Sequence, residues 1–192
     1  MKNTMKSDAE RCKEWETFRK IDAAFRSGEL EALRAAVDDP ACVPNGPMPP
    51  TIGPCLVYAI YHGPLPFIRA LLALGADPNP AVDDGFPPLI AALSCSRPRQ
   101  GSPGRSDALD IIELLLAFGA DPNQRGINDY TPLHMAVGEG QLPAVAVLLA
   151  AGADPRLRTG IDDFETPLEM AQKAGLVAIA RLLAEHESPL AD

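Results

Sequence analysis

No stretch of the 192-residue chain is apolar enough for long enough to cross a membrane; the most apolar run, IIELLLAFGA, is ten residues, about half of what a span requires. The opening MKNTMKSDAERCKEWETF mixes charges of both signs and has no apolar stretch of signal-peptide length. These two absences predict a cytoplasmic protein with no membrane partner. Cations are also scarce, with 17 Lys and Arg against 26 Asp and Glu and a formal net charge of −9. Binding dominated by phosphate contacts needs clustered Lys and Arg, so nucleic acid is excluded as the main partner. The four cysteines, Cys12, Cys42, Cys55 and Cys95, form no Cys-x-x-Cys pair and no zinc-finger spacing with histidine, which predicts four reduced thiols. The three histidines, His62, His134 and His186, share no helical ligand spacing, no serine sits in a nucleophile elbow, and Gly138–Gly140 lacks the rest of a phosphate-binding loop. Neither a catalytic constellation nor a metal or cofactor site is therefore expected.

What the chain does have is 46% hydrophobic residues, enough for a buried core, and a repeat. GADPN occurs at Gly75–Asn79 and at Gly119–Asn123, and GADPR follows at Gly152–Arg156. Each copy follows an apolar run, and a Pro-Leu or Cys-Leu start recurs at Leu56, Leu89, Leu133 and Leu168. Leu56 to Leu89 is 33 residues, and Gly119 to Gly152 is also 33. A fixed period of this length marks a solenoid of stacked units. The local chemistry fits helix pairs. Pro132 and Pro167 suit the first turn of a helix, where N–H groups have no intrahelical partner, and the threonines before them can cap. Leu133 and Ala136, then Val145, Leu148 and Leu149, recur at three- and four-residue spacing, so each helix has one apolar stripe that only a neighbouring unit can bury. Gly140 and Gly152 stand where a helix end wants left-handed backbone, and Ala59, Ala92, Ala136 and Ala171 allow the first helices to pack closely.

Thr131-Pro132-Leu133-His134 and Thr166-Pro167-Leu168, with Glu169 in place of histidine, make the chain resemble the ankyrin repeat family. The resemblance implies an all-α solenoid of about five helix-turn-helix repeats linked by β-turn hairpins. The repeats are assigned to residues 1–45 (an extended first helix beginning near Asp8, then a capping repeat led by Ile21), 46–80, 81–124, 125–157 and 158–192. It also implies that His134 is structural, bonded to backbone near the hairpin, and that Asp77, Asp121 and Asp154 form turns. Function would then lie in binding a protein partner through the concave face. The hairpin positions carried over are Asp83, Asp84 and Phe86, then Asn128, Asp129 and Tyr130, then Asp162, Asp163 and Phe164; the helix positions are Tyr61, His62, Ser94, Cys95, Gly138 and Glu139. Tyr61, Phe86 and Tyr130 are the expected anchors, within a rim of aspartates.

Two segments depart from the period. Leu89 to Leu133 is 44 residues, so that repeat carries 11 extra, which fall in an inserted loop at 96–106. Its Pro, Gly and Ser content builds no packed element, while Arg97, Arg99 and Arg105 form a basic cluster suited to carboxylate or phosphate, a possible second contact. The other segment, Asp38–Pro54, replaces a hairpin and is expected to run extended. The chain is thus read as a non-catalytic, monomeric interaction module that inhibits or scaffolds its partner. The alternative is an enzyme or small-ligand-binding protein with a site on the hairpin face, drawing on the arginine loop and His62.

Overall fold

The computed structural model describes residues 7–49, 51–81, 85–98, 104–160 and 164–187. Among them are ten α-helices and no strand, and none of these helices is long and apolar enough to cross a membrane. The chain divides into two compact units, Met1–Asp77 and Pro78–Asp192.

The first unit contains α1 (Asp8–Ser27), α2 (Leu30–Ala36), α3 (Cys55–His62) and α4 (Leu65–Ala73). Helix α1 starts at a capping box, in which the Ser7 hydroxyl accepts from the Glu10 N–H and the Glu10 carboxylate accepts from the Ser7 N–H. It ends at Gly28, whose φ of 74° lies in the left-handed region and where a Cβ would come within 2.8 Å of the Pro64 ring. Helix α1 packs on α2 and α3, and α3 on α4. Ile21, Phe25, Leu33, Ile60 and Ile68 are fully buried, with the Phe25 ring against Tyr58 and Phe67 at centroid distances of 4.8 and 5.7 Å.

The segment Asp38–Pro54 is not extended, contrary to the sequence expectation. It folds into consecutive turns. A short 3₁₀ helix (Pro40–Cys42) is capped by the Asp39 carboxylate, which accepts from the Ala41 N–H at 3.0 Å. Gly46 N–H donates to the Cys42 carbonyl, and Ile52 N–H to that of Pro49. Burial of Cys42, Val43 and Ile52 draws the chain inward at these points, and this outweighs the extended preference of its prolines.

The second unit contains α5 (Pro88–Ser94), α6 (Ala108–Ala117), α7 (Pro132–Gly138), α8 (Leu142–Ala150), α9 (Pro167–Lys173) and α10 (Val177–Glu187). Each helix pairs with its successor in an α5–α6, α7–α8, α9–α10 pattern. The first helices pack in the order α5, α7, α9 and the second in the order α6, α8, α10, so the apolar stripe of each pair is buried on the next. Every residue of α5 is buried, and Ala92, Ala136 and Ala171 are completely so. Gly140 turns the chain between α7 and α8 at a φ of 63°.

The Gly-Ala-Asp-Pro-Asn motif performs a role that its composition does not announce. The Asn79 side chain donates to the Gly119 carbonyl (2.8 Å) and accepts from the Asp121 N–H (2.7 Å). Asn123 does the same to Gly152 (3.1 Å) and Asp154 (2.8 Å). Each asparagine therefore ties its motif to the next copy. In the third copy Arg156 replaces it, no further Gly-Ala-Asp follows, and the guanidinium turns back to Asp154. Asp121 and Asp154 close turns by accepting from the N–H two residues on.

Candidate interaction surface

Helix α7 begins where Thr131 caps it. The His134 N–H points to the threonine hydroxyl at 3.5 Å, the imidazole Nδ1 lies 2.8 Å from that hydroxyl, and Nδ1 accepts from the Thr131 N–H at 3.3 Å. On its other side Nε2 is 3.0 Å from the Glu165 carbonyl, which can only accept. These partners select the neutral tautomer with hydrogen on Nε2. His134 is completely buried, and burial holds its pKa below the ordinary value, against the pull of the Glu165 carbonyl. It thus fastens the start of α7 to the Glu165 backbone of the next repeat.

The hairpin ahead of α7 is a tight turn, not a strand pair. Gly126 N–H donates to the Tyr130 carbonyl and Asp129 N–H to that of Gly126, with Asn128 and Asp129 both left-handed at φ 61° and 59°. It is joined to the following repeat by Gly160 N–H to the Asn128 carbonyl (2.9 Å) and by Arg125 to the Arg158 carbonyl (3.1 Å). Arg158 in turn donates to the Phe164 carbonyl at 2.7 Å and forks onto Glu169 at 2.9 and 3.0 Å. Asn128 of one hairpin and Arg158, Gly160 and Phe164 of the next are thereby tied into one network.

On this frame Asn128 and Asp129 are exposed, as is the ring of Phe164, at 57% and with a left-handed φ of 51°. Tyr130 and Phe86 differ from the expectation: both are half-buried, and the Tyr130 ring lies 5.7 Å from that of His134. The Tyr130 ring thus packs beside the buried histidine with part of its surface open. The exposed apolar side chain of that hairpin is Ile127, at 48%, which the sequence reading missed although a lone isoleucine in Gly-Ile-Asn-Asp is the signal that could have found it. Asp83, Asp84, Asp162 and Asp163 lie outside the described residues.

Glu139 stands at the opposite end of α7 from the hairpin, as its C-cap, about 10 Å away by helical rise. It pairs with Arg97 of the insertion at 3.6 Å, and a Cβ on Gly140 would come within 2.8 Å of that guanidinium. Arg105 forks onto Asp107 at 2.8 and 2.7 Å while its N–H closes the base of the loop on the Cys95 carbonyl at 2.8 Å. The Gln141 side chain reaches the Leu93 carbonyl and the Ser96 hydroxyl. The two described arginines of the predicted basic cluster are thus bound to acids of the chain itself, and Arg99 lies outside the described residues.

In the first unit Tyr61 is exposed at the end of α3, and His62 beside it is half-buried. His62 Nδ1 lies 3.4 Å from Arg26, whose Nε pairs with Asp22 at 2.8 Å, and Asp22 also accepts from the Tyr58 hydroxyl at 2.8 Å. Burial and the Asp22 carboxylate push the Tyr58 hydroxyl up to about 12. Burial works to raise the Asp22 pKa, but the bonds from Arg26 and Tyr58 outweigh it. Among the described residues no group of three or more His, Cys, Asp or Glu side chains is placed to hold a metal ion.

Family models described as ankyrin repeats (3 copies) and ankyrin repeats (many copies) match residues 104–191 and 56–100 respectively. The chain belongs to the ankyrin repeat family, whose repeats are generally protein–protein interaction modules. One curated relative, the tyrosine-protein kinase Shark of Drosophila melanogaster, is 40% identical over 65 residues, which are 34% of this chain. The chain spans only 7% of the length of that kinase.

Proposed function

We propose that this chain is a non-catalytic cytoplasmic module that binds a protein partner through the hairpin face of its second unit, acting as an inhibitor or scaffold and working as a monomer. The observation that supports this is the pair of exposed apolar side chains, Ile127 and Phe164, on two hairpins whose backbones are hydrogen-bonded to each other. Large apolar groups carried on hydrogen-bonded backbone lose less entropy on binding, and a rim of Asn128, Asp129 and Arg125 supplies polar contacts. Standard interfaces bury about 1,200–2,000 Å² in total, so neighbouring repeats, including Phe86 and the ends of the first helices, contribute as well. The test is photo-crosslinking from a diazirine amino acid placed singly at Ile127, Phe164 or Val177, the last a control that is 80% exposed on α10. A common partner captured from 127 and 164 and not from 177 is the expected result; equal capture from 177, or none from the hairpins, overturns the assignment.

A further inference from the structure

Helix α1 outruns its neighbours in the first unit: it has 20 residues where α2, packed on it, has 7. Its N-terminal half faces the turns of 37–49 and Thr51 instead, across an open groove of about 1050 Å³. On the helix wall Trp15 and Phe18 stack with centroids 5.4 Å apart, and Trp15 is 61% exposed. Pro47, Met48 and Pro49 line the other wall. An indole left this open beside a groove has the character of an anchor awaiting a partner.

We infer that this groove docks one amphipathic helix of a protein partner, with that helix's apolar stripe on Trp15, Phe18 and Met48 and Lys or Arg on its flanks. Three observations select this occupant. Arg11, Trp15 and Phe18 line the groove at helical i, i+4, i+7 spacing and form a ridge of the kind that interlocks with a second helix. The far wall offers prolines at 47 and 49 with no N–H to donate to an extended peptide, whereas a helix arrives with its backbone bonds already made. Finally, the charged side chains around the groove are Glu10, Glu14, Asp38 and Asp39 against Arg11 and Lys13, so acids predominate and stand on both walls. This favours a cationic helix over an anionic one. The groove lies on a different unit from the hairpin face, and the inference does not depend on that reading.

Trp15 is the only tryptophan of the chain, so its emission reads the groove directly. The full chain is titrated with a synthetic amphipathic Leu/Lys helix, its Leu/Glu counterpart, and phosphatidylserine vesicles. The Leu/Lys peptide is expected to shift Trp15 emission to the blue, shield it from acrylamide and saturate at one peptide per chain, with the Leu/Glu peptide at least about tenfold weaker. The double variant E14K/D38K, changed at two exposed positions and checked by circular dichroism, should reverse that preference, and Phe164→Ala should leave it untouched. Equal affinity for the two peptides overturns the inference. So does a blue shift that grows with protein concentration alone, which would mean a second copy fills the groove, or a shift caused by vesicles while the peptides are silent. Calorimetry showing the Leu/Lys peptide bound as tightly by Trp15→Ala also overturns it.

Discussion

The two units of this chain solve the same packing problem with different local chemistry. In the second, α7 and α9 begin behind Thr131 and Thr166, each in a reciprocal cap. In the first, α3 begins behind Pro54 with no side-chain cap, and the tie between helices comes from the Tyr58 hydroxyl on Asp22 and from Arg26 beside it. What the units share is the asparagine. Asn45, in a segment without the repeat motif, donates to the Gly75 carbonyl at 2.7 Å and accepts from the Asp77 N–H at 2.8 Å, the same bonds that Asn79 and Asn123 make inside the second unit. The Thr-Pro-Leu signature is therefore one way of starting a helix, while the carboxamide that grips the next Gly-Ala-Asp is the feature both units retain. Within the second unit a finer contrast holds: His134 and Glu169 occupy the same position of the signature, one buried and neutral, the other exposed and charged.

Removing core volume from the first unit gives the largest expected effect. Phe25→Ala empties a fully buried site between Tyr58 and Phe67 and should cost about 3–5 kcal/mol. Urea unfolding followed by Trp15 emission should move further than the same transition followed by circular dichroism. Coincident shifts would show that the two units unfold as one and would end the comparison.

Next is His134→Gln, which removes the buried imidazole between Thr131 and the Glu165 carbonyl, leaving that carbonyl the Thr159 N–H alone, and should cost about 1–3 kcal/mol. It also has a pH signature. Because the folded pKa lies below 6.5, the unfolded chain binds the extra proton between the folded value and 6.5, so wild-type stability falls as pH drops through that window. Urea midpoints measured on either side of 6.5 should show this slope in the wild type and a weaker one in the variant.

Asn123→Ala and Asn45→Ala each remove two hydrogen bonds to the next Gly-Ala-Asp, and each should cost about 1 kcal/mol, measurable as shifts in denaturant midpoint. Equal losses would show that the bridge serves both units alike; a silent Asn45→Ala would confine it to the second. The smallest change is expected for Glu169→Gln. The Thr166 N–H and then Arg158 hold this carboxylate below its ordinary 4.5, so its contribution is present above that pH and is lost as pH falls through the depressed folded value. The neutral-pH urea midpoint should therefore fall slightly in the variant, and its difference from the wild type should shrink as pH drops below about 4.5.

The helix pairs, the early start of α1 and the structural character of His134 were legible because each is written in local spacing: Pro after Thr, Leu at the buried position, Gly at the turn. The partial burial of Tyr130 was not legible, for the opposite reason. An aromatic beside Asn-Asp reads as an exposed tip, but the ring of His134 draws it in, and Ile127 stands out instead. Arg97 and Arg105 read as part of a free basic cluster because their acids stand just past the inserted loop, as with Asp107, or far along the chain, as with Glu139. The prolines of Asp38–Pro54 suggested extension, but three buried side chains bend it into turns.

By itself the sequence determined the family, the period and the inner and outer helices, since these follow from 33-residue spacing and from stripes that must be buried on a neighbour. Tertiary structure decided which side chains remain available. Exposure and ion pairing depend on residues some thirty or more positions apart, as Nε2 of His134 on Glu165, Arg125 on the Arg158 carbonyl and Arg97 on Glu139 all show. The groove of the first unit belongs to the same category: it exists because α1 runs past α2 and the turns of 37–49 fold alongside it, and no local pattern in either segment records that they face each other.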